Sequence, residues 1–165
     1  MRYAQIRKTD ISNGTGIRTS LFVQGCTRKC KGCFNPETWD FEGGHEWNEQ
    51  AEEEFLTLTA GEHIAGATIL GGEPMEPENR RPVRELLRKL KERCPEKNIR
   101  MYSSYLFEEI MEFDPKVLQY LDVLVDGPFV EEKKDLNLRF RGSSNQRVID
   151  VKASLESKTV ILLEV

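Results

Sequence analysis

Three of the four cysteines in this chain fall within eight residues, in the stretch Gly25-Cys26-Thr27-Arg28-Lys29-Cys30-Lys31-Gly32-Cys33. In a chain without secretory features, clustered thiols point to a metal centre or a reactive site rather than to a disulfide framework. Gly25 and Gly32 supply the backbone freedom needed to bring three thiolates onto one centre. A closed structural zinc site takes four ligands in two paired spacings, and no second pair exists here; a zinc loop would have to borrow His45, His63 or Cys94. A 4Fe-4S cubane held by three cysteines fits the count and leaves one iron without a protein ligand. Arg28, Lys29 and Lys31 place positive charge beside the loop, which either favours thiolate over thiol or is ordinary solvated charge. His45 and His63 belong to no paired metal spacing and read as exposed or internally satisfied polar residues.

The elements that must position this loop can be read from periodicity. Ile17 to Val23 reads as a strand that stops at Gln24-Gly25, feeding the cysteine loop. Asn48 to Leu58 fits a modestly amphipathic helix, and Ala67 to Leu70 a short strand ending at Gly71-Gly72. From Pro77 to Cys94, the residues Val83, Leu86, Leu87, Leu90 and Cys94 fall on one helical face, which makes Cys94 a small buried hydrophobe, and Pro95 ends the helix. Ile99 to Tyr102 reads as strand, Tyr105 to Met111 as helix and Leu121 to Val125 as a buried strand closed by Asp126-Gly127-Pro128. Arg147 to Val165 reads as strand, polar turn and strand.

This alternation predicts an α/β fold with mainly parallel strands, ligands gathering at the strands' carboxyl ends. Both the cysteine loop and Gly71-Gly72 sit at such ends. A complete β/α barrel needs about 250 residues. The 165 residues here therefore imply a partial barrel, open on one side, in a single domain spanning 1–165. With 24 Lys and Arg against 28 Asp and Glu, interspersed, nothing suggests a nucleic-acid partner. No apolar run approaches the roughly 18 residues of a membrane span, and no secretory pattern opens the chain, so a cytoplasmic protein with no membrane partner is expected.

The cysteine loop resembles the cluster motif of the radical S-adenosylmethionine superfamily. In that superfamily the open iron chelates S-adenosylmethionine, and one electron from the cluster cleaves it to a 5′-deoxyadenosyl radical that abstracts hydrogen from a substrate. Many members carry an aromatic residue just before the third cysteine. This chain has Gly32 there and Phe34 just after, a subfamily's pattern. Read outward, Asp10-Ile11-Ser12-Asn13-Gly14, Gly32-Cys33-Phe34-Asn35, Gly71-Gly72-Glu73-Pro74, Leu124-Val125-Asp126-Gly127 and Arg141-Gly142-Ser143-Ser144-Asn145-Gln146 occur in the order typical of the activating proteins of anaerobic, class III ribonucleoside-triphosphate reductases.

That resemblance implies a radical S-adenosylmethionine fold of the open-barrel type. It implies Cys26, Cys30 and Cys33 as cluster ligands, and the cluster and S-adenosylmethionine as cofactors. Gly71, Gly72 and Glu73 would meet the methionine part, glycines at a strand end admitting close backbone approach and the Glu73 carboxylate facing the ammonium. Gly32 and Phe34 would border the adenine. The partners implied are the large, glycyl-radical subunit of the reductase and a one-electron donor such as flavodoxin. Another glycyl radical enzyme of the pyruvate formate-lyase type is the alternative target, and a non-enzymatic zinc module the alternative class. Where such proteins often carry a Trp-Thr-Gly-Tyr-like stretch, this chain has Tyr102-Ser103-Ser104-Tyr105. Asp126 reads either as a turn former or as an organiser of the site, and the Arg141 to Arg147 loop as a contact to cofactor or partner.

Overall fold

The apolar stretches between Ile17 and Val125 become the centre of a seven-stranded mixed sheet in a computed structural model, which describes residues 1–164. Strands β1 (Arg2–Asp10) and β2 (Arg18–Val23) form an antiparallel pair, and β3 (His45–Glu46) lies antiparallel on the outer side of β1. From β2 the sheet continues in parallel through β4 (Gly66–Gly71), β5 (Asn98–Ser103) and β6 (Val123–Asp126). A final strand, β7 (Arg147–Asp150), returns antiparallel to β6. The order β3-β1-β2-β4-β5-β6-β7 leaves β3 and β7 as edges, so the sheet does not close. The expected partial, open β/α barrel is thus found, with its parallel strands confined to the middle.

Each parallel step crosses over through helix: α1 (Glu49–Thr59), α2 (Pro77–Arg93), then the short pair α3 (Phe107–Phe113) and α4 (Pro115–Gln119). Right-handed crossovers that advance in one direction place every helix on one face of the sheet. Asn48 starts α1 by accepting from the Ala51 amide at 2.9 Å. α2 starts on Pro77, carries Lys91 and Arg93 in its last turn, and buries Val83, Leu86, Leu87 and Leu90. Each of those side chains contributes about 1.5–3 kcal/mol of hydrophobic stabilisation. They pack on Leu21, Val23, Ile69, Met101 and Leu124 from the strands, with Cys94 buried among them as expected. Strand alternation turns Arg18, Ser20, Phe22, Thr68, Leu70, Arg100 and Tyr102 to the other, concave face.

Two expectations change. The segment after Arg147 is not strand, turn and strand: β7 is followed by helix α5 (Val151–Ser157), and only an isolated bridge from Ile149 to Leu162 remains of the second strand. Asp150 causes the switch, its carboxylate accepting from the Ala153 amide at 3.0 Å as a helix cap. The helix read at Tyr105 starts two residues later, because the Phe107 amide is capped from a distance by Asp126 at 2.7 Å. Among the described residues, no helix is long and apolar enough to cross a membrane.

Candidate active site

Two strand ends and the helix that follows one of them build the site. β2 runs out at Val23, and Gly25, at φ +101, turns the chain into the cysteine loop. The Gly25 amide donates to the Thr38 carbonyl at 2.8 Å and the Cys26 amide to the Trp39 carbonyl at 3.2 Å. On the neighbouring strand, Gly71 has φ +110, and a Cβ there would lie 2.6 Å from the Val23 nitrogen. A Cβ on Gly72 would lie 2.7 Å from the carbonyl oxygens of Gly25 and Thr38. Only glycine lets the two ends meet this closely. The Glu73 amide closes the seam on the Gly25 carbonyl at 2.8 Å.

Side chains that the sequence reading passed over lock this seam. The buried Asn79 amide group donates to the carbonyls of Gln24 and Glu73, both at 3.0 Å. Glu76, buried just ahead of α2, accepts from the Thr27 amide at 3.0 Å and the Thr27 hydroxyl at 2.7 Å. The cysteine loop therefore hangs on the first turn of α2 as well as on β2. The one local hint was the pair of carboxylates in Glu73-Pro74-Met75-Glu76-Pro77, directly before a helix.

Cys26, Cys30 and Cys33, all free, line a cavity of about 560 Å³ together with Gly71, Gly72 and Glu73. Among the described residues, no three of His, Cys, Asp and Glu lie close enough to share one metal ion. A cubane asks for a different geometry, since each of its cysteines binds a separate iron at a separate corner. The residues considered for completing a zinc loop lie elsewhere: His45 sits on edge strand β3 against Tyr3, His63 precedes β4 at its amino end, and Cys94 is buried behind α2. Burial pushes the Cys26 thiol up, with Glu73 and Glu76 adding to the rise, against backbone hydrogen bonds from Lys29 and Arg28. The basic side chains of the loop are partly engaged elsewhere. Arg28 lies over the Tyr105 ring at 4.5 Å, and Lys31 is 3.7 Å from Glu131.

Glu73 is 1% exposed, and both its oxygens are taken. One accepts from the amide and hydroxyl of Ser104 at 2.6 and 2.7 Å; the other accepts from the Met75 amide at 2.9 Å and the Ser103 hydroxyl at 2.7 Å. Burial pushes its carboxyl up against the pull of these four bonds. The carboxylate thus ties the end of β4 to the Ser103-Ser104 turn at the end of β5. Phe34 borders the cavity at its rim, 54% exposed and packed on Phe129 at 5.0 Å. Gly32 does not border it; at φ +77 it turns toward the Glu131 side chain. Asp126 is fully buried and accepts from Arg147 as well as from the Phe107 amide. The loop before Arg147 closes on itself, Gln146 accepting from the amides of Gly142 and Ser143.

These features fit the groups that the cysteine motif implies. Three free thiols line the cavity together with the Gly71-Gly72 backbone. Around the same cavity, Trp39 Nε1, Tyr102 Oη and Arg141 Nε are buried donors without a partner within the protein, as a polar cofactor would require.

Residues 12–149 match a family described as "4Fe-4S single cluster domain". The chain is 38% identical over 148 residues to the anaerobic ribonucleoside-triphosphate reductase-activating protein of Vibrio cholerae, covering 88% of this chain and 96% of that protein. Its likeness to the protein of the same name from Escherichia coli is 36% over 150 residues, covering 90% and 97%. For that of Enterobacteria phage T4 it is 37% over 148 residues, covering 90% and 93%.

Proposed function

Because the chain belongs to the family of anaerobic ribonucleoside-triphosphate reductase-activating proteins, we propose that it activates such a reductase by radical S-adenosylmethionine chemistry. One observation carries this reading: three free cysteines and the Gly71-Gly72 backbone line the same cavity at adjacent strand ends. Cys26, Cys30 and Cys33 would hold the 4Fe-4S cluster, leaving one iron open. When bound, the cluster and S-adenosylmethionine supply a one-electron cleavage whose product takes a hydrogen atom from a glycine of the target.

The chain's own residues bind and orient. Gly71 and Gly72, by letting the two strand ends meet, bring their backbone to the cavity wall where the methionine part would lie, the Gly72 amide itself being held by the Val23 carbonyl at 2.8 Å. Glu73 acts one step back, holding Ser103 and Ser104 at the cavity wall. Glu76 and Asn79 fix the cysteine loop against that wall. Phe34, at the rim, offers an aromatic face for the adenine. No general base or nucleophile is required, since the cofactor carries the hard chemistry and the protein positions it.

The test is to load the purified protein with iron and sulfide anaerobically, reduce it, and add S-adenosylmethionine and a class III reductase. An EPR-detectable glycyl radical on the reductase is the expected result. A radical appearing on a pyruvate formate-lyase instead, or a colourless protein holding one zinc, would overturn it.

A further inference from the structure

The concave face of the sheet carries a buried charge that has no ion-pair partner among the described residues. Arg100, in the middle of β5, is 2% exposed, yet its Nε and Nη1 have no hydrogen-bond partner, and no carboxylate pairs with it among the described residues. Two residues along the same face, the Tyr102 hydroxyl is also buried without a bond of ordinary geometry. Desolvation pushes that phenol up to about 12, and the adjacent Arg100 guanidinium pulls the other way both by its charge and by its approach to the hydroxyl.

The neighbouring groups are already committed. Arg18 donates to Thr68, to the carbonyls of Thr15 and Ala67, and to Asn98. Asp10, the buried acid of this region, accepts from Ser12, Asn13 and Ser20. Gly14 packs against the Arg100 side chain; a Cβ there would lie 3.1 Å from Nε. On the cavity side the screen is Phe140, whose ring lies 5.0 Å from the guanidinium and whose backbone sits at φ +63, a costly conformation for an aromatic residue.

A buried guanidinium is expensive unless it is paired, and its planar fork of donors matches a carboxylate. We propose that Arg100 and Tyr102 form a seat for a carboxylate that enters the inner end of the cavity as Phe140 turns aside. The groups offered there are the guanidinium N–H donors of Arg100, which make no side-chain or carbonyl hydrogen bond among the described residues, and the O–H of Tyr102. The inference rests on the functional reading above, which supplies two sources of a carboxylate: the methionine part of S-adenosylmethionine, or an acidic side chain of the reductase segment that reaches into the half-barrel. Arg100 lies three residues inside the end of β5 at Ser103, about 10 Å along the strand.

The test uses cluster-loaded protein with Arg100→Met, Arg100→Lys and Tyr102→Phe, measuring affinity for S-adenosylmethionine, affinity for the purified reductase, and thermal stability. Arg100→Met should weaken one of the two affinities ~10–100-fold, the worth of a charge-assisted pair. It should leave the melting temperature unchanged or raised, because an apolar side chain replaces an unpaired buried charge. Arg100→Lys should fall between, and Tyr102→Phe should cost roughly 3–10-fold. Loss confined to S-adenosylmethionine identifies the methionine carboxylate; loss confined to the reductase identifies a side chain of the target.

Both affinities staying within about twofold in Tyr102→Phe and in either Arg100 variant would overturn the seat, whatever happens to stability. So would a lowered melting temperature for Arg100→Met with both affinities intact, which marks a structural arginine. Should Arg100→Met not fold, Arg100→Lys and Tyr102→Phe decide alone. A parent protein that binds S-adenosylmethionine but puts no radical on the reductase would instead refute the functional reading, a separate failure.

Discussion

Replacing Glu73 by Gln keeps the shape of the side chain and removes only its charge and one acceptor. In the parent, two backbone amides, those of Met75 and Ser104, and two hydroxyls point at the carboxylate. The hydroxyls can rotate to accept, but the amides cannot. Whichever way the glutamine turns, its NH₂ faces one backbone N–H, and a buried donor without an acceptor costs about 1–3 kcal/mol. Relief of the buried charge, visible in the upward displacement of the Glu73 carboxyl, offsets part of this. A net loss of about 1–2 kcal/mol follows, or a fall of about 3–6 °C in melting temperature for a chain of this length. Glu73→Ala orphans all four donors and opens a cavity, for a loss of about 4–5 kcal/mol. Thermal unfolding followed by circular dichroism, alongside titration with S-adenosylmethionine, separates two roles. A carboxylate that anchors Ser103 and Ser104 loses stability and affinity together, and alanine is worse than glutamine in both. If Glu73→Gln weakens S-adenosylmethionine binding with the melting temperature untouched, the carboxylate faces the ligand and the anchoring argument fails.

Cys26→Ala, Cys30→Ala and Cys33→Ala should each abolish iron incorporation, whereas Cys94→Ala should keep it and lose about 1 kcal/mol from the core; iron analysis after anaerobic reconstitution decides, and loss of iron in Cys94→Ala would refute the ligand assignment. Gly72→Ala places a methyl group 2.7 Å from two carbonyl oxygens, so it should cost about 2 kcal/mol or more and lower iron content by distorting the cysteine loop; normal iron with normal stability would contradict the close approach. For Asp10, burial alone would raise the carboxyl, but hydrogen bonds from Ser20, Asn13 and Ser12 hold it below its ordinary 3.8. Its stabilisation is therefore present above that value and lost as pH falls through the lower folded one. Asp10→Asn should destabilise by about 1–2 kcal/mol at pH 7, and the gap to the parent should close in acid; a gap independent of pH would show that charge is not the cause.

How legible this was depended on the range over which each feature is encoded. α2 announced itself because Val83, Leu86, Leu87 and Leu90 repeat at helical spacing and all face the core. β1 did not, since a strand near the edge with mostly half-buried residues is defined by its register against β2 rather than by its own pattern. α5 was misread because Val148, Ile149 and Val151 favour a strand locally, and the Asp150 cap overrides them. In the site, the cysteines and Gly71-Gly72 are local motifs and could be read directly. Thr27 and Glu76 are 49 residues apart, and nothing in either neighbourhood names the other. Gly32 and Phe34 show the limit of adjacency: both flank Cys33, yet the loop turns one toward the cavity and the other toward Glu131.

All crossover helices lie on one side of a sheet whose edges never meet, and the cysteine-lined cavity opens on the other, bordered by the segment around Phe140. A fully closed barrel shelters its chemistry by itself; half of one must borrow shelter. Under the proposed function, a docked reductase would become the missing wall, and activator plus target would make one reaction chamber that exists only while they touch. On that same proposal, a radical released before docking would be open to quenching, and cleavage coupled to the arrival of the target polypeptide would avoid that loss.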